Sequence, residues 1–358
     1  MSRPGRLWCQ LSGRNWADGG ERPMKWMTLS AVALAMGLSM TVAQADTFRY
    51  ITYKPEGAND AHARSLKWLV EEFAKRTGGK HKIEVFWGGS VAAVGETPEA
   101  LSSGVGDMGD IVTPYFPDQF PLNNAVGFFI PQPLDSRQVG EAMVEWHKTY
   151  PQFDEELASQ NLHAFAYRPL ENYGMLCKQP ISSMADLKGK RIRSYGFAYP
   201  ALIEAMGATP VSITTSDTYE ALERSIVDCA PIGPALARGF KYDEVAKYYT
   251  KVPFGASFGH ILAMNLDSYN GLDDETRAVI DKLGMDYMEE YAQMLEADET
   301  NVQEAWKGKL GVTVSDFPKE QIRPLIEDKR VQAVRKEWED KAKAAGLPVD
   351  EIVSKLTF

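Results

Sequence analysis

The chain is poor in the residues that build disulfide frameworks and metal centres: three cysteines and five histidines occur among 358 residues. So few thiols cannot staple a domain of this size, and no Cys-x-x-Cys pair occurs. His62, His81, His147, His163 and His260 are scattered without helical spacing, and no His-Glu-x-x-His run is present. A zinc site is therefore not expected. The chain also lacks a Gly-x-Ser-x-Gly elbow and a phosphate-cradling glycine loop. No catalytic residue, metal or cofactor is predicted from motifs.

A long hydrophobic run is missing too, and the longest one has a different meaning. Lys25 precedes an uncharged, mostly apolar stretch from Met27 to Ala43, which falls short of the roughly 20 apolar residues that span a bilayer. Ala43-Gln44-Ala45 after it supplies the small-x-small pattern of a cleavage site. Residues 24–45 are thus expected to be a signal peptide, with Met24 as the true start and 1–23 as an extension outside the fold.

Removing 45 residues leaves 313, the size of two ordinary lobes. Five basic residues and two acidic ones leave with the segment, so the net charge falls from −10 to −13. An acidic chain is a poor partner for nucleic acid. Any anionic ligand must then be held by a local cluster that overrides the mean field. Cys177 and Cys229 remain, and each reads as a small buried hydrophobe, with pairing left open.

Strand and helix signals alternate from the start. Phe48 to Tyr53 reads as a strand, Leu66, Leu69, Val70 and Phe73 recur at helical spacing, and Gly78-Gly79 ends that helix. Lys82 to Trp87 is the next strand, giving the cadence of an α/β protein with a largely parallel sheet. Val279, Leu283, Tyr287, Tyr291 and Leu295 then predict a long helix over about 273–307, whose aromatic stripe packs a core. Pro318 to Lys355 reads as further helix.

One unit occurs twice. Thr97 as cap, a helix through Leu101 and a strand from Met108 lead to Thr113-Pro114-Tyr115. Ser216 as cap, a helix through Leu222 and a strand lead to Pro231-Ile232-Gly233-Pro234. The repeat predicts two similar lobes, each sending strand ends toward a shared cleft, because ligands of open α/β sheets sit beyond the carboxyl ends of strands. Ala164 to Lys178 and Phe254 to Asn265 are the expected crossings. Trp87, Tyr115, Tyr195 and Phe197 stand near the predicted jaws and could enclose an apolar ligand body.

Between the crossings lies Met184 to Arg193, a turn followed by a strand crowded with cations. Alternation puts Arg191 and Arg193 on one face with Ile192 on the other. A guanidinium there offers a planar fork matched to a carboxylate, while a solvated basic edge is the plainer reading.

The order and spacing of several short motifs resemble a known family. They are Gly95-Glu96 with Leu101, Gly104 and Asp107-Met108-Gly109; Asp186-Leu187-Lys188-Gly189 with Arg191-Ile192-Arg193; Gly207-Ala208-Thr209-Pro210; and Tyr219-Glu220-Ala221-Leu222 leading to Val227-Asp228. From Asp46 to Phe358 the chain looks like a periplasmic substrate-binding protein of the tripartite ATP-independent periplasmic (TRAP) transporters, the dicarboxylate-binding, DctP-type family.

The resemblance implies a periplasmic-binding-protein-like α/β fold of two lobes joined by crossing strands and a long helix. Lobe I is expected at 46–168 and 258–297, and lobe II at 169–257 and 298–358. It implies a periplasmic, monomeric carrier that closes over a small organic acid and delivers it to the small and large permease proteins of the membrane. Arg193 matches the arginine that pairs with the ligand carboxylate in this family, and Arg191 is a flanking cation.

Departures shape the expected ligand. Where relatives often carry a second arginine, this chain has Asn172 or Tyr173, and the nearest cation is Arg168. A monocarboxylate with a polar or aromatic body becomes the expected ligand. Ala230-Pro231-Ile232 replaces the acidic residue and tryptophan of metal-dependent relatives. The expected ligand-binding residues are Arg193, Arg168, Tyr173, Thr113, Trp87, Tyr195 and Gly233. Two rivals remain: a secreted enzyme on the same fold with Cys177 or Cys229 as nucleophile, and the binding module of a sensory receptor.

Overall fold

Short strands that feed capped helices give this chain two separate sheets. The computed structural model describes residues 46–257 and 259–358, so the expected signal peptide and the extension before it lie outside the described residues. Strands β1 (Asp46–Ile51), β2 (His81–Phe86), β3 (Met108–Ile111) and β4 (Leu162–Arg168) enter the first sheet. Strands β5 (Gly174–Cys177), β6 (Arg191–Ser194), β7 (Thr209–Ser212), β8 (Cys229–Ile232) and β9 (Tyr248–Lys251) build the second. Strand β10 (His260–Asn265) then returns to the first, and β11 (Thr313–Asp316) completes the second.

Among the described residues the sheet orders are β2-β1-β3-β10-β4 and β11-β9-β5-β8-β6-β7. The consecutive strands of each lobe pair in parallel, as the βαβ cadence predicts. The strands flanking the crossings, β4, β5 and β10, pair antiparallel, so each sheet is mixed.

Both faces of the first sheet are buried, and β10 shows how. Ile261 and Ala263 pack in one apolar cluster while Leu262 and Met264 pack in another. Helix Ala61–Arg76 covers the second face; Asp60 caps it by accepting from the Ala63 amide at 3.0 Å. The long helix Asp274–Ala305 lies beside it, capped by Asp273, and buries Leu283, Tyr287, Tyr291 and Leu295 as their spacing predicts.

The chain's end departs from expectation. Residues 298–358 were assigned to lobe II, yet Trp338, Ala342, Ile352 and Leu356 pack into the first lobe's cluster and Val331 into the second's. Helix Lys329–Ala344 is amphipathic along its whole length, so its buried stripe can span both lobes.

The duplicated unit is visible atom by atom. In lobe I the Arg49 amide and Nε donate to Asp107, and the Asp107 amide donates back to the Arg49 carbonyl. In lobe II the Arg191 amide and Nε donate to Asp228, and the Asp228 amide returns the bond. The registers agree, since Tyr50 sits opposite Met108 and Ile192 opposite Cys229. Neither Thr97 nor Ser216 caps its helix. The helices begin at Thr97 and Thr218, whose hydroxyls bond back to the carbonyls of Ala93 and Thr214.

Candidate functional site

Strand β6 decides where the second lobe's cation goes. Arg191 is half-exposed and paired with Asp228 at 2.9 Å. Arg193, two residues on, is sealed at 1% exposure. Its Nε donates to the Ile213 carbonyl at 3.1 Å, and its Nη2 donates to Thr215 Oγ1 at 3.0 Å and to the Tyr115 hydroxyl at 3.2 Å. Among the described residues Nη1 has only the Pro231 carbonyl, at 3.5 Å. The guanidinium lies 4.5 Å from the centre of the Tyr195 ring. Among the described residues, every partner of Arg193 is neutral. An arginine remains charged when buried, and sealing a charge without a counter-ion costs several kcal/mol, which makes Arg193 the candidate anchor for an anion.

Tyr115 comes from the first lobe, in the turn that follows β3. Its hydroxyl accepts from the Thr215 amide at 2.8 Å and from Arg193, and lies 2.9 Å from Thr215 Oγ1. Tyr242 steadies the same loop by donating to the Thr215 carbonyl. One phenol thus ties the two lobes together at the cation.

The cavity facing Arg193 has a volume of about 10 Å³, room for about one water molecule. That is far below the roughly 300–1,000 Å³ of pockets that take drug-sized ligands, so in this closed arrangement the walls meet around the cation. Tyr53, Val112, Pro114, Tyr115 and His260 line it from the first sheet's side, and Tyr173, Arg193, Tyr195, Thr215 and Leu236 from the second's. On the same lining, the His260 ring nitrogen Nε2 lies 2.9 Å from the Tyr53 hydroxyl. Burial, reinforced by Arg168, His62 and Lys54, holds the His260 pKa well below its usual value, so the ring is neutral at pH 7. Among the described residues Arg193 is the one cation on the lining. A broader groove of about 560 Å³ runs between helices Ser136–Thr149 and Asp274–Ala305, but its Arg137 is already paired with Glu289. Size alone does not locate the site.

The expected residues separate into two groups. Arg193, Tyr195 and Tyr173 meet at the cavity. Arg168 does not join them: it is wholly buried against Asp110 at 2.9 Å and donates to Tyr287. Asp110 also accepts from Tyr50 and Thr52, so the arginine's charge is spent inside lobe I. Gly233 lies behind the lining. A Cβ there would stand 1.9 Å from Glu171, whose carboxylate accepts the Ala235 and Leu236 amides at the start of helix Pro234–Gly239. Trp87 packs on the first lobe's core at the end of β2. Thr113 is buried between lining residues Val112 and Pro114, with its carbonyl bonded to Asn124.

Tyr53, Thr215 and His260 were missed. The strand-end rule could have found the first two, since they follow β1 and β7 by two and three residues. The repeat gives a sharper signal. Equating Arg49 with Arg191 equates Tyr53 with Tyr195, and both tyrosines line the cavity. His260 opens an antiparallel strand, so its start lies on the edge where β3 ends.

Cys177 and Cys229 face each other across β5 and β8 and form a disulfide, with Cα atoms 4.1 Å apart. Both are buried as expected, but neither offers a thiol nucleophile. Among the described residues, no group of acidic, histidine or cysteine side chains is arranged to hold a metal ion, and no helix is long and apolar enough to cross a membrane.

Comparison with known proteins bears on the family and the fold. The chain is 25% identical over 81% of its length to a solute-binding protein of Sulfitobacter sp., covering 87% of that protein. Another curated relative, from Salmonella typhimurium, is matched over 57% of its own length. Among solved structures, an extracytoplasmic solute receptor of Bordetella pertussis that binds pyroglutamic acid superposes with a TM-score of 0.76 at 20% identity, covering 86% of this chain and 99% of that one. A marine-metagenome TRAP solute-binding protein specific for aromatic acids, in complex with 3-hydroxybenzoate, gives 0.75 at 21% identity, covering 87% and 97%. The family model for bacterial extracellular solute-binding proteins, family 7, matches residues 55–341. With its two lobes and enclosed cation, the chain belongs to that DctP family of solute-binding proteins.

Proposed function

We propose that this protein captures a small monocarboxylate between its lobes and hands it to the membrane subunits of a TRAP transporter. The observation that carries the reading is Arg193, a sealed guanidinium with neutral partners on the wall of a small cavity. A carboxylate would take the Nη1 edge, where Pro231 is a poor acceptor at 3.5 Å. The first-lobe part of the lining, with Tyr53 and neutral His260, suits a hydroxyl, amide or ring edge rather than a second carboxylate.

Closure follows from differential affinity. In the open form the Tyr115 hydroxyl would lose Arg193 and Thr215, and the ligand would lose half its walls. A ligand that bridges the lobes therefore favours the closed state by the contacts unique to it. Thr113, expected as a ligand-binding residue, serves in this reading by setting the turn that presents Tyr115. The closed surface is what a permease would recognise. The signal at 24–45 would deliver the mature monomer to the periplasm.

Native mass spectrometry of the mature protein purified from the periplasm tests this reading. A bound acid of low mass that is released on denaturation is the expected result. Absence of any bound acid, together with no thermal shift across a panel of mono- and dicarboxylates, would sink it.

A further inference from the structure

The second lobe carries one four-residue pattern twice: Gly196-Phe197-Ala198-Tyr199 after β6, and Gly239-Phe240-Lys241-Tyr242 at the end of helix Pro234–Gly239. In each copy the tyrosine is buried in the second lobe's apolar cluster. The glycine lies against the first lobe instead. A Cβ on Gly196, which takes φ +61°, would stand 3.1 Å from the Pro114 carbonyl, and one on Gly239 would stand 2.0 Å from Asp60 Oδ2. Bare glycines let the backbone approach the opposite lobe this closely.

The phenylalanine between them is half-buried, and its ring meets first-lobe residues. Phe240 stacks on Tyr53 with ring centres 6.2 Å apart and planes within 9° of parallel, and the Lys54 ammonium lies 4.3 Å from its centre. Lys54 is sealed at 1% exposure and held by Asp60 at 2.5 Å, so this cation is fixed in place. Phe197 meets Phe128 at 5.3 Å, with the Lys341 ammonium 5.4 Å from its centre. Phe128 packs in the first lobe's cluster, and Lys341 comes from helix Lys329–Ala344. Each socket thus pairs an aromatic ring with a lysine, and the Lys54 socket, closed to water, gains more from its cation. Neither phenylalanine is on the lining of the Arg193 cavity.

We propose that Phe197 and Phe240 are clasp residues of closure: second-lobe rings that dock into first-lobe sockets and set how long a bound acid stays, without touching it. This rests on the carboxylate-carrier reading and on the opening of the lobes that it requires. The sockets lose their rings on opening, so these contacts belong to the closed state alone. Such contacts slow release and leave encounter unchanged.

The test uses the full mature chain with Phe197→Leu, Phe240→Leu and the double variant, since leucine keeps an apolar filler and removes the ring. Wild type is titrated with pyroglutamate, 3-hydroxybenzoate and galacturonate, and the tightest binder is carried into stopped flow. Each single change should speed release of that acid by about fivefold, with Phe240→Leu the larger, and the double change by about twentyfold, while the association rate stays within about twofold. Ligand-free melting temperatures should match wild type, because the open form has no clasp to lose. Unchanged release in both single variants, or ligand-free melting temperatures lowered as much as the ligand-bound ones, would overturn the proposal. A variant that fails to fold marks its ring as ordinary packing and removes that clasp, leaving the other to be read alone. A wild type that binds none of the three acids and carries none from the periplasm would instead remove the carrier reading beneath the proposal.

Discussion

Arg168 and Arg193 are both sealed from solvent, yet among the described residues a carboxylate stands beside Arg168 and none beside Arg193. The repeat accounts for the carboxylate and not for the cations, since the same frame matches Arg193 with Ile51 of lobe I. Aligning Met108 with Cys229 through their shared register with Tyr50 and Ile192 places Pro231 where lobe I has Asp110. Lobe I balances its cation internally with an aspartate that also holds Tyr50 and Thr52. Lobe II has a proline there, which has no side-chain acceptor and presents a carbonyl at 3.5 Å. The same frame thus yields a structural ion pair on one side and an unbalanced charge on the other.

Breaking the balanced side should have the largest effect. Arg168→Met leaves Asp110 buried without its counter-ion, so urea unfolding should show a loss of about 3–5 kcal/mol. A change below ~1 kcal/mol would remove the claim that this arginine is spent on the fold. The disulfide offers a second contrast, because it braces β8 beside Arg193 and the first lobe has no counterpart among the described residues. Reduction, or the double change of Cys177 and Cys229 to alanine, should cost about 2–4 kcal/mol for a loop closed by residues 52 apart, read as a lower melting temperature.

Restoring the missing carboxylate probes the comparison from the other side. Pro231→Asp should supply Arg193 with an internal partner and weaken acid binding by about tenfold, or ~1.4 kcal/mol, in a calorimetric titration. Unaltered affinity would mean that the two positions are not equivalent. The smallest effect is expected from Tyr115→Phe, which keeps the ring against Tyr195 but deletes the interlobe hydroxyl. About 0.5–1.5 kcal/mol should be lost, seen as faster ligand release in stopped flow with the association rate little changed.

Local signals carried much of this architecture. Gly78-Gly79 ended the first helix, the four-residue spacing through Tyr287 and Tyr291 gave the long helix, and the proline-exit repeat gave two lobes. Arg193 was legible because the motif around it is local and ordered. Arg168 was misplaced for a physical reason: its partner Asp110 is 58 residues away in sequence, and nothing local says that a cation near a crossing is already neutralised. Gly233 looked like a jaw residue, but its role depends on Glu171, which approaches from the other crossing strand. The last helices were assigned to one lobe because an amphipathic stripe shows that a face is buried, not which neighbour covers it.

The most direct test is calorimetry of Arg193→Met against wild type with the acid that co-purifies, paired with the melting temperature of each protein free of ligand. Removing an unbalanced charge should leave the ligand-free melting temperature unchanged or higher, while binding falls by roughly 2–5 kcal/mol, more than about thirtyfold. Retained affinity, or a ligand-free destabilisation as large as that of Arg168→Met, would contradict the assignment of Arg193 as the charge that waits for the ligand.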